Sequence, residues 1–308
     1  MTVDLLRMGE PMLEFNQLPP QPDGSRHYLE GHGGDTSNAA VAAARHGAAV
    51  GMIAAVGQDM PGDSFMALWA KEGIDTSTVS RSGRYATGVY FVTHDDSGHR
   101  FLHHRANSAA AMAGPEDVPV EAIGRARILY LSGISQGIST AACDAAFVAI
   151  DAAKARGAKV AYDTNYRPRL WPAARAAAVM RAAMESVDYA FPGLEDAAAL
   201  TGLTDADAIL DYYLRCGPAA VVLKMGESGA YLATRDRRVR IPAHPVQAVD
   251  ATGAGDTFCG AFLARTLAGD SLEEAARYAC VAAALKCTGH GAVAPIPSPA
   301  RVRAAMGR

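Results

Sequence analysis

No run of about 18 apolar residues occurs in this 308-residue chain, so no membrane-spanning helix is expected. The first 25 residues carry Glu10, Pro11, Glu14, Pro19 and Pro20 where a signal peptide needs an unbroken apolar stretch, and a soluble cytoplasmic protein is the expectation. A basic surplus is missing too: 29 Lys and Arg against 32 Asp and Glu leave a formal net charge of −3. That excludes nucleic acid and anionic membrane as expected partners and leaves small molecules and other protein subunits. The five cysteines, Cys143, Cys216, Cys259, Cys280 and Cys287, are odd in number and lack CxxC spacing. Set among alanines and aliphatics, they read as small buried hydrophobes in a reducing compartment. Neither GxxxxGKS nor GxxxxGKT occurs, which excludes a nucleotide P-loop, and no GxGxxG follows the first apolar run, which excludes a dinucleotide fingerprint.

What is present is an alternation of short apolar runs with longer alanine-rich stretches of helical spacing, the pattern of parallel strands joined by crossover helices. Strands are expected at 3–8, 50–56, 128–132, 159–163 and 219–225, and helices at 37–46, 62–72, 140–156, 173–186, 256–267 and 272–287. Residues 87–105 break this rhythm. Gly88-Val-Tyr-Phe-Val-Thr93 and Arg100-Phe-Leu-His-His104 flank the turn Asp95-Asp-Ser-Gly98 and read as a β-hairpin. With the irregular stretch from Glu10 to about Gly33, the hairpin is expected to form a small sheet covering a cleft. No repeat or low-complexity linker divides the chain, so one body over residues 1–308 is expected, with a lid from about 10–35 and 85–112.

The most informative stretch is Val249-Asp-Ala-Thr-Gly-Ala-Gly-Asp-Thr-Phe-Cys-Gly-Ala-Phe262. Gly253 and Gly255 allow a tight turn close to a ligand, and an apolar helical pattern starts near Thr257. Free amides at such a helix entrance, with the helix dipole behind them, suit an anion and the charge that builds on a transferring phosphoryl group. Asp256 at that entrance has two readings from the turn alone: a base that takes the proton of an attacking hydroxyl, or a side chain that only caps the helix.

Asp250-Ala-Thr-Gly-Ala-Gly-Asp256, together with Gly33-Gly-Asp-Thr-Ser-Asn-Ala-Ala40 more than 200 residues earlier, resembles the two signatures of the PfkB (ribokinase-like) carbohydrate kinases. The resemblance implies a three-layer α/β/α fold with a mainly parallel central sheet and a small β-sheet lid. It implies ATP and Mg²⁺ as cofactors, Asp256 as the base, and the amides of Gly253, Ala254 and Gly255 as an anion hole. Gly9-Glu-Pro-Met-Leu-Glu14, Leu129-Tyr-Leu-Ser-Gly-Ile-Ser135 and Tyr162-Asp-Thr-Asn-Tyr-Arg-Pro-Arg-Leu-Trp171 are most similar to the branch of that family acting on 2-keto-3-deoxygluconate. An acid sugar needs a cation, and a guanidinium provides paired donors for its carboxylate. On the resemblance, Arg105 and Arg167 hold the acid, while Gly34, Asp35, Asn38 and Tyr90 line the sugar site. His103 and His104 depart from the family pattern, which has two aromatic residues there; strand alternation sends them to opposite faces, and His104 is expected to look into the site.

On the nucleotide side, Val221-Val-Leu-Lys-Met-Gly-Glu-Ser-Gly-Ala230 resembles the family segment on which ATP lies. It implies contacts from Lys224, Gly226, Ser228 and Gly229, joined by Asn165, Thr252, Gly253 and Gly255. Lys224 also reads as a strand-end lysine reaching solvent. Asp196 is the expected carboxylate for a hydrated Mg²⁺, and Asp250 with its neighbouring backbone the expected site of a monovalent cation such as K⁺. A homo-oligomer paired through exposed lid edges is also expected. The rivals are another sugar kinase of the family, a fructokinase or ribokinase, and a non-catalytic sugar or nucleotide sensor.

Overall fold

The computed structural model describes residues 3–19, 21–95 and 98–307. Its strands are β1 (Leu5–Met8), β2 (Met12–Gln17), β3 (Tyr28–Gly33), β4 (Val50–Gly57), β5 (Val79–Ser82), β6 (Gly88–Asp95), β7 (Gly98–His104), β8 (Ile128–Ser132), β9 (Lys159–Asp163), β10 (Tyr189–Phe191), β11 (Ala220–Lys224), β12 (Ala230–Thr234) and β13 (Arg238–Ile241). Nine of them form one sheet in the order β13-β12-β11-β10-β9-β8-β1-β4-β5. All neighbours pair in parallel except β11 with β12 and β12 with β13.

The sheet is buried on both faces because its strands are apolar at successive positions rather than at alternate ones. Leu5, Tyr130, Val222 and Phe191 pack on one side with helices Asp35–Arg45, Ala254–Leu267 and Leu272–Lys286. Leu6, Leu129, Leu131 and Val160 face the other side, against helices Thr140–Ala155, Ala173–Met184 and Ala206–Cys216. The result is the expected three layers. Helix starts are set locally: Ser139 and Asp205 each accept an amide of the first turn, and Ser271 forms a capping box with Glu274.

The second sheet has the order β3-β2-β6-β7, with β2 and β6 parallel and both outer pairs antiparallel. The expected hairpin is β6 and β7; Asp96 and Ser97 of its turn lie outside the described residues. The stretch read as irregular contains β2 and β3. The last third carries β12, β13 and helix Pro299–Ala305 in addition to its two expected helices.

Strand β1 has β4 on one side and β8 on the other, so the chain order reverses beside it. Ligands of open α/β sheets bind at the carboxyl ends of strands at such a switch point. Two helices converge there. Asp35–Arg45 and Ala254–Leu267 cross so closely that a Cβ at Gly260 would lie 2.5 Å from Ala39 O and 2.6 Å from the Ala42 side chain. Gly260→Ala is expected to force the two helices apart and cost about 1–3 kcal/mol of stability, read as a lowered urea midpoint with an unchanged slope.

Candidate active site

Helix Ala254–Leu267 opens after Gly253, whose φ of 75° lies in the left-handed region, and no side chain caps it. Asp256 stands in its first turn rather than at its cap. Its buried Oδ2 instead accepts from Asn38 Nδ2 at 2.9 Å, which removes the capping reading. Burial, then the nearby Asp35 and Asp163, push the Asp256 pKa up to about 7 against the Asn38 hydrogen bond and Lys224. Such a carboxylate ionises near neutrality and accepts a proton far more readily than an exposed one. The Ala254 amide donates to Ala251 O at 3.1 Å, so it is committed to the turn rather than open to an anion. Among the described residues the amides of Gly253, Gly255 and Asp256 donate to nothing. That corrects the expected anion hole at one position.

Asp35 and Asn38 arrive on the other helix, which starts after Gly34. Gly34 has φ 92°, and a Cβ there would lie 2.3 Å from Glu10 O, so only glycine fits. Asp35 Oδ2 accepts from Asn165 Nδ2 at 2.9 Å. Asp35 Oδ1 and Asn38 Oδ1 are buried acceptors without a partner, a pair suited to the hydroxyls of a polyol. Asn165 follows β9 in the left-handed region, with φ 34°. On the same edge Lys224 Nζ donates to Asp163 Oδ2 at 2.5 Å and would lie 3.4 Å from a Cβ at Gly255. Burial works to lower the Lys224 pKa, but Asp163, Cys259 and Asp196 together outweigh it and the value is raised, so a permanent cation stands at the helix entrance. Beyond it Gly226 and Ser228 are exposed, and Gly226 and Gly229 have positive φ. They form an open shelf after β11.

The small sheet supplies the opposite wall. Tyr90 is buried; its hydroxyl donates to Glu14 and sits against Gly33. Burial, then Glu14, then Asp256, raise its pKa, which places the phenol within the field of Asp256. Arg105 is paired with the buried Glu10, which also accepts from Ser108 at 2.8 Å. The expectation that His104 faces the site is corrected. His103 stacks on Tyr90 at 5.5 Å, whereas His104 meets Phe91 edge-on at 6.0 Å on the other face. Alternation requires this, because Arg105 is two residues from His103. Burial, then Arg105, Arg169 and Arg167, lower the His103 pKa, so it is neutral at pH 7. Arg167 is exposed, donates to Tyr166 O at 3.0 Å and pairs with no carboxylate among the described residues. Arg169 Nη1 reaches Phe101 O of β7 at 3.0 Å.

Asp196 Oδ2 accepts from Thr164 Oγ1 at 3.2 Å and Tyr166 N at 3.1 Å. Burial raises its pKa, with Lys224 the main opposing influence, and a cation would relieve it. Among the described residues no group of three or more His, Cys, Asp or Glu side chains is placed to hold a metal. That suits an ion held through few carboxylates and waters. Asp250 is different. Its two oxygens accept from Thr252 N and Gly291 N, both at 2.8 Å, and its carbonyl accepts from Lys286 Nζ at 2.8 Å. Each oxygen of the expected monovalent-cation ligand thus has a hydrogen-bond donor on it. Sequence reasoning did not single out Asp163, Glu10, Glu14 or Lys286. Asp163 had one visible signal, a carboxylate closing an otherwise apolar strand.

A basic, buried aspartate at an uncapped helix entrance, beside a lysine and facing buried polyol acceptors, defines a phosphotransferase of the α/β/α class acting on a hydroxylated substrate. The pfkB family carbohydrate kinase model matches residues 9–299, and the chain belongs to that family. It is 32% identical to the 2-dehydro-3-deoxygluconokinase of Thermoproteus tenax, over 96% of this chain and 92% of that one. Identity to Fructokinase-1 of Oryza sativa subsp. japonica is 30%, over 89% and 88%. The crystal structure of a PfkB protein from Polaromonas sp. JS666 superposes with a TM-score of 0.88, at 29% identity over 98% and 99% of the two chains.

The folded-state pKa of Asp256 is raised, so its ionisation favours unfolding as pH climbs from the ordinary carboxylate range toward 7. Asp256→Asn is expected to raise the melting temperature by a few degrees, about 2–5 °C, at pH 8 and by less at pH 5. Calorimetry at the two pH values checks the sign.

Proposed function

We propose that this kinase transfers the γ-phosphoryl group of ATP to the terminal hydroxyl of 2-keto-3-deoxygluconate, giving 2-keto-3-deoxy-6-phosphogluconate. The observation that carries the substrate reading is Arg167. It is an exposed guanidinium with no carboxylate partner among the described residues, and it acts, after Arg105 and Arg169, on His103, which stacks on Tyr90. A neutral sugar needs no such cation, whereas a carboxylate does. The Fructokinase-1 similarity favours a second reading, a fructokinase, which the same assay tests.

In this reading Asp35 Oδ1, Asn38 Oδ1 and the Gly34 backbone hold sugar hydroxyls, with Tyr90 and Arg105 along the lid and Arg167 on the carboxylate. Asp256 takes the proton of the attacking hydroxyl as that oxygen forms its bond to phosphorus. The amides of Gly253 and Gly255 and the Lys224 ammonium receive the charge on the phosphoryl oxygens. Asn165, Thr252, Gly226, Ser228 and Gly229 line the nucleotide side. Asp196 fits a hydrated Mg²⁺, which when bound neutralises phosphate charge. The small sheet acts as a lid over the site, and its exposed Leu29 and Leu102, each 58% accessible, favour pairing with a second copy. All five cysteines are free, which fits the reducing cytoplasm.

A coupled ADP-release screen of ketodeoxygluconate, ketodeoxygalactonate, fructose and ribose is expected to show turnover on the acids. Turnover on fructose or ribose alone would overturn the substrate. Asp256→Asn is expected to lower kcat by about 10²–10⁴-fold, and near-normal turnover would remove the base. The base must be ionised, so wild-type kcat/KM is expected to fall with acid below a limb near pH 7, following the Asp256 value. Arg167→Ala is expected to raise KM for the acid sugar by about 10–100-fold while changing its ATP affinity little.

A further inference from the structure

The loop that presents the anion-binding amides is fastened at its base to the end of another helix. Val249 N and Asp250 N both donate to Cys287 O, at 2.7 and 3.1 Å. Lys286, in the last turn of Leu272–Lys286, is fully buried and aims its ammonium at Asp250 O, 2.8 Å away. The Asp250 carboxylate is held by the Thr252 and Gly291 amides on either flank of the turn. Burial lowers the Lys286 pKa, and Asp250 is the largest influence in the opposite direction, followed by Cys287, Asp256 and Glu14. A cation at this point faces the carbonyl end of its own helix, where positive charge is favoured. It also lies on the Asp250 carbonyl, three residues before Gly253.

A monovalent metal ion on the Asp250 carbonyl would stand where the Lys286 ammonium already lies. We propose that the Lys286 ammonium is the resident cation of the anion-hole loop, a positioning residue that holds the turn in shape, so that turnover needs no added potassium. Covalent attachment keeps this cation in place at any salt composition. It also forecloses the site, because a second positive charge beside a buried ammonium is repelled.

The inference rests on the kinase reading above, and its test separates the two. ADP release is measured with Mg-ATP in medium buffered by tetramethylammonium salts and free of K⁺, Na⁺ and NH₄⁺. KCl is then titrated to about 0.1 M in exchange for tetramethylammonium chloride, so that screening stays constant. Wild-type kcat is expected to change less than about 1.5-fold across the titration, and saturable acceleration of several-fold would overturn the proposal. Lys286→Ala, which opens room for an ion, is expected to lose about tenfold or more in kcat without K⁺ and to recover part of it along a saturable curve. Its melting temperature is expected to rise with K⁺ while that of the wild type does not. A folded Lys286→Ala that is slow and insensitive to K⁺ would mean an ordinary structural lysine and would overturn the role assigned here. If the variant does not fold, the wild-type titration alone decides. Absence of ADP release under every condition would instead remove the kinase reading on which the proposal stands.

Discussion

Three carboxylates buried at one sheet edge are the constraint around which the rest of the site is arranged. Asp35, Asp163 and Asp256 are all less than a tenth exposed, and buried charges persist only where hydrogen bonds and counter-charges hold them. Asn38 and Asn165 each donate an amide to one of them, and Lys224 pairs with the third. A second cation lies deeper. Arg7 on β1 is fully buried, its guanidinium 4.1 Å from the centre of the Tyr130 ring, and none of its nitrogens makes a hydrogen bond. Burial lowers its pKa, whereas Tyr130, Cys259 and Asp256 favour its charge. Stacked on Tyr130 and paired with no carboxylate among the described residues, it serves as a diffuse counter-charge beneath the acidic edge, and that is a physical reason for an arginine inside the run Leu5-Leu-Arg-Met8.

The kind of compensation given to each carboxylate divides the labour among them. An ion pair fixes the position of the cation it holds. Asp163 receives one and anchors Lys224. Asp256 receives a neutral amide instead, which fixes its orientation while leaving burial and Asp35 to keep it basic. Crossing of the two helices at Gly260 sets the distance between Asn38 and Asp256, so the basicity of one residue depends on backbone packing one helical turn away.

Much of this was legible in the sequence where a single physical signal dominated. Ile128–Ser132 and Lys159–Asp163 are read to the residue because each is built on a buried apolar run, Ile128 to Leu131 and Val160 to Tyr162. Helix Asp35–Arg45 starts two residues earlier than its apolar pattern suggests, since its first residues are polar groups facing the site rather than solvent. Strands β2 and β3 are hidden because one face serves the cleft with Glu14 and the other meets helix Met60–Lys71 through His32, whose ring packs edge-on to Phe65 at 5.0 Å. No simple alternation survives two such different environments. The Asp163–Lys224 and Asp250–Lys286 contacts join residues 61 and 36 positions apart. Spacing carries no trace of such pairings, because the tertiary fold alone brings them together.

The inventory of positive charge around the cleft decides where an acid substrate is read. Arg105 is paired with Glu10, and His103 is held neutral by burial and then by its arginine neighbours. These two groups of the lid therefore offer hydrogen bonds with little net charge, whereas Arg169, which donates to the Phe101 carbonyl of β7, keeps its charge. Arg167 belongs to the body of the protein, after β9, donates to the Tyr166 carbonyl and likewise has no carboxylate partner among the described residues. In the proposed reading a carboxylate is drawn first to the fixed wall of the site, with the reacting hydroxyl directed toward Asp256 on the same wall. In the same reading, closure of the small sheet would add donors and exclude water, which strengthens the fixed charges already aligned instead of competing with them.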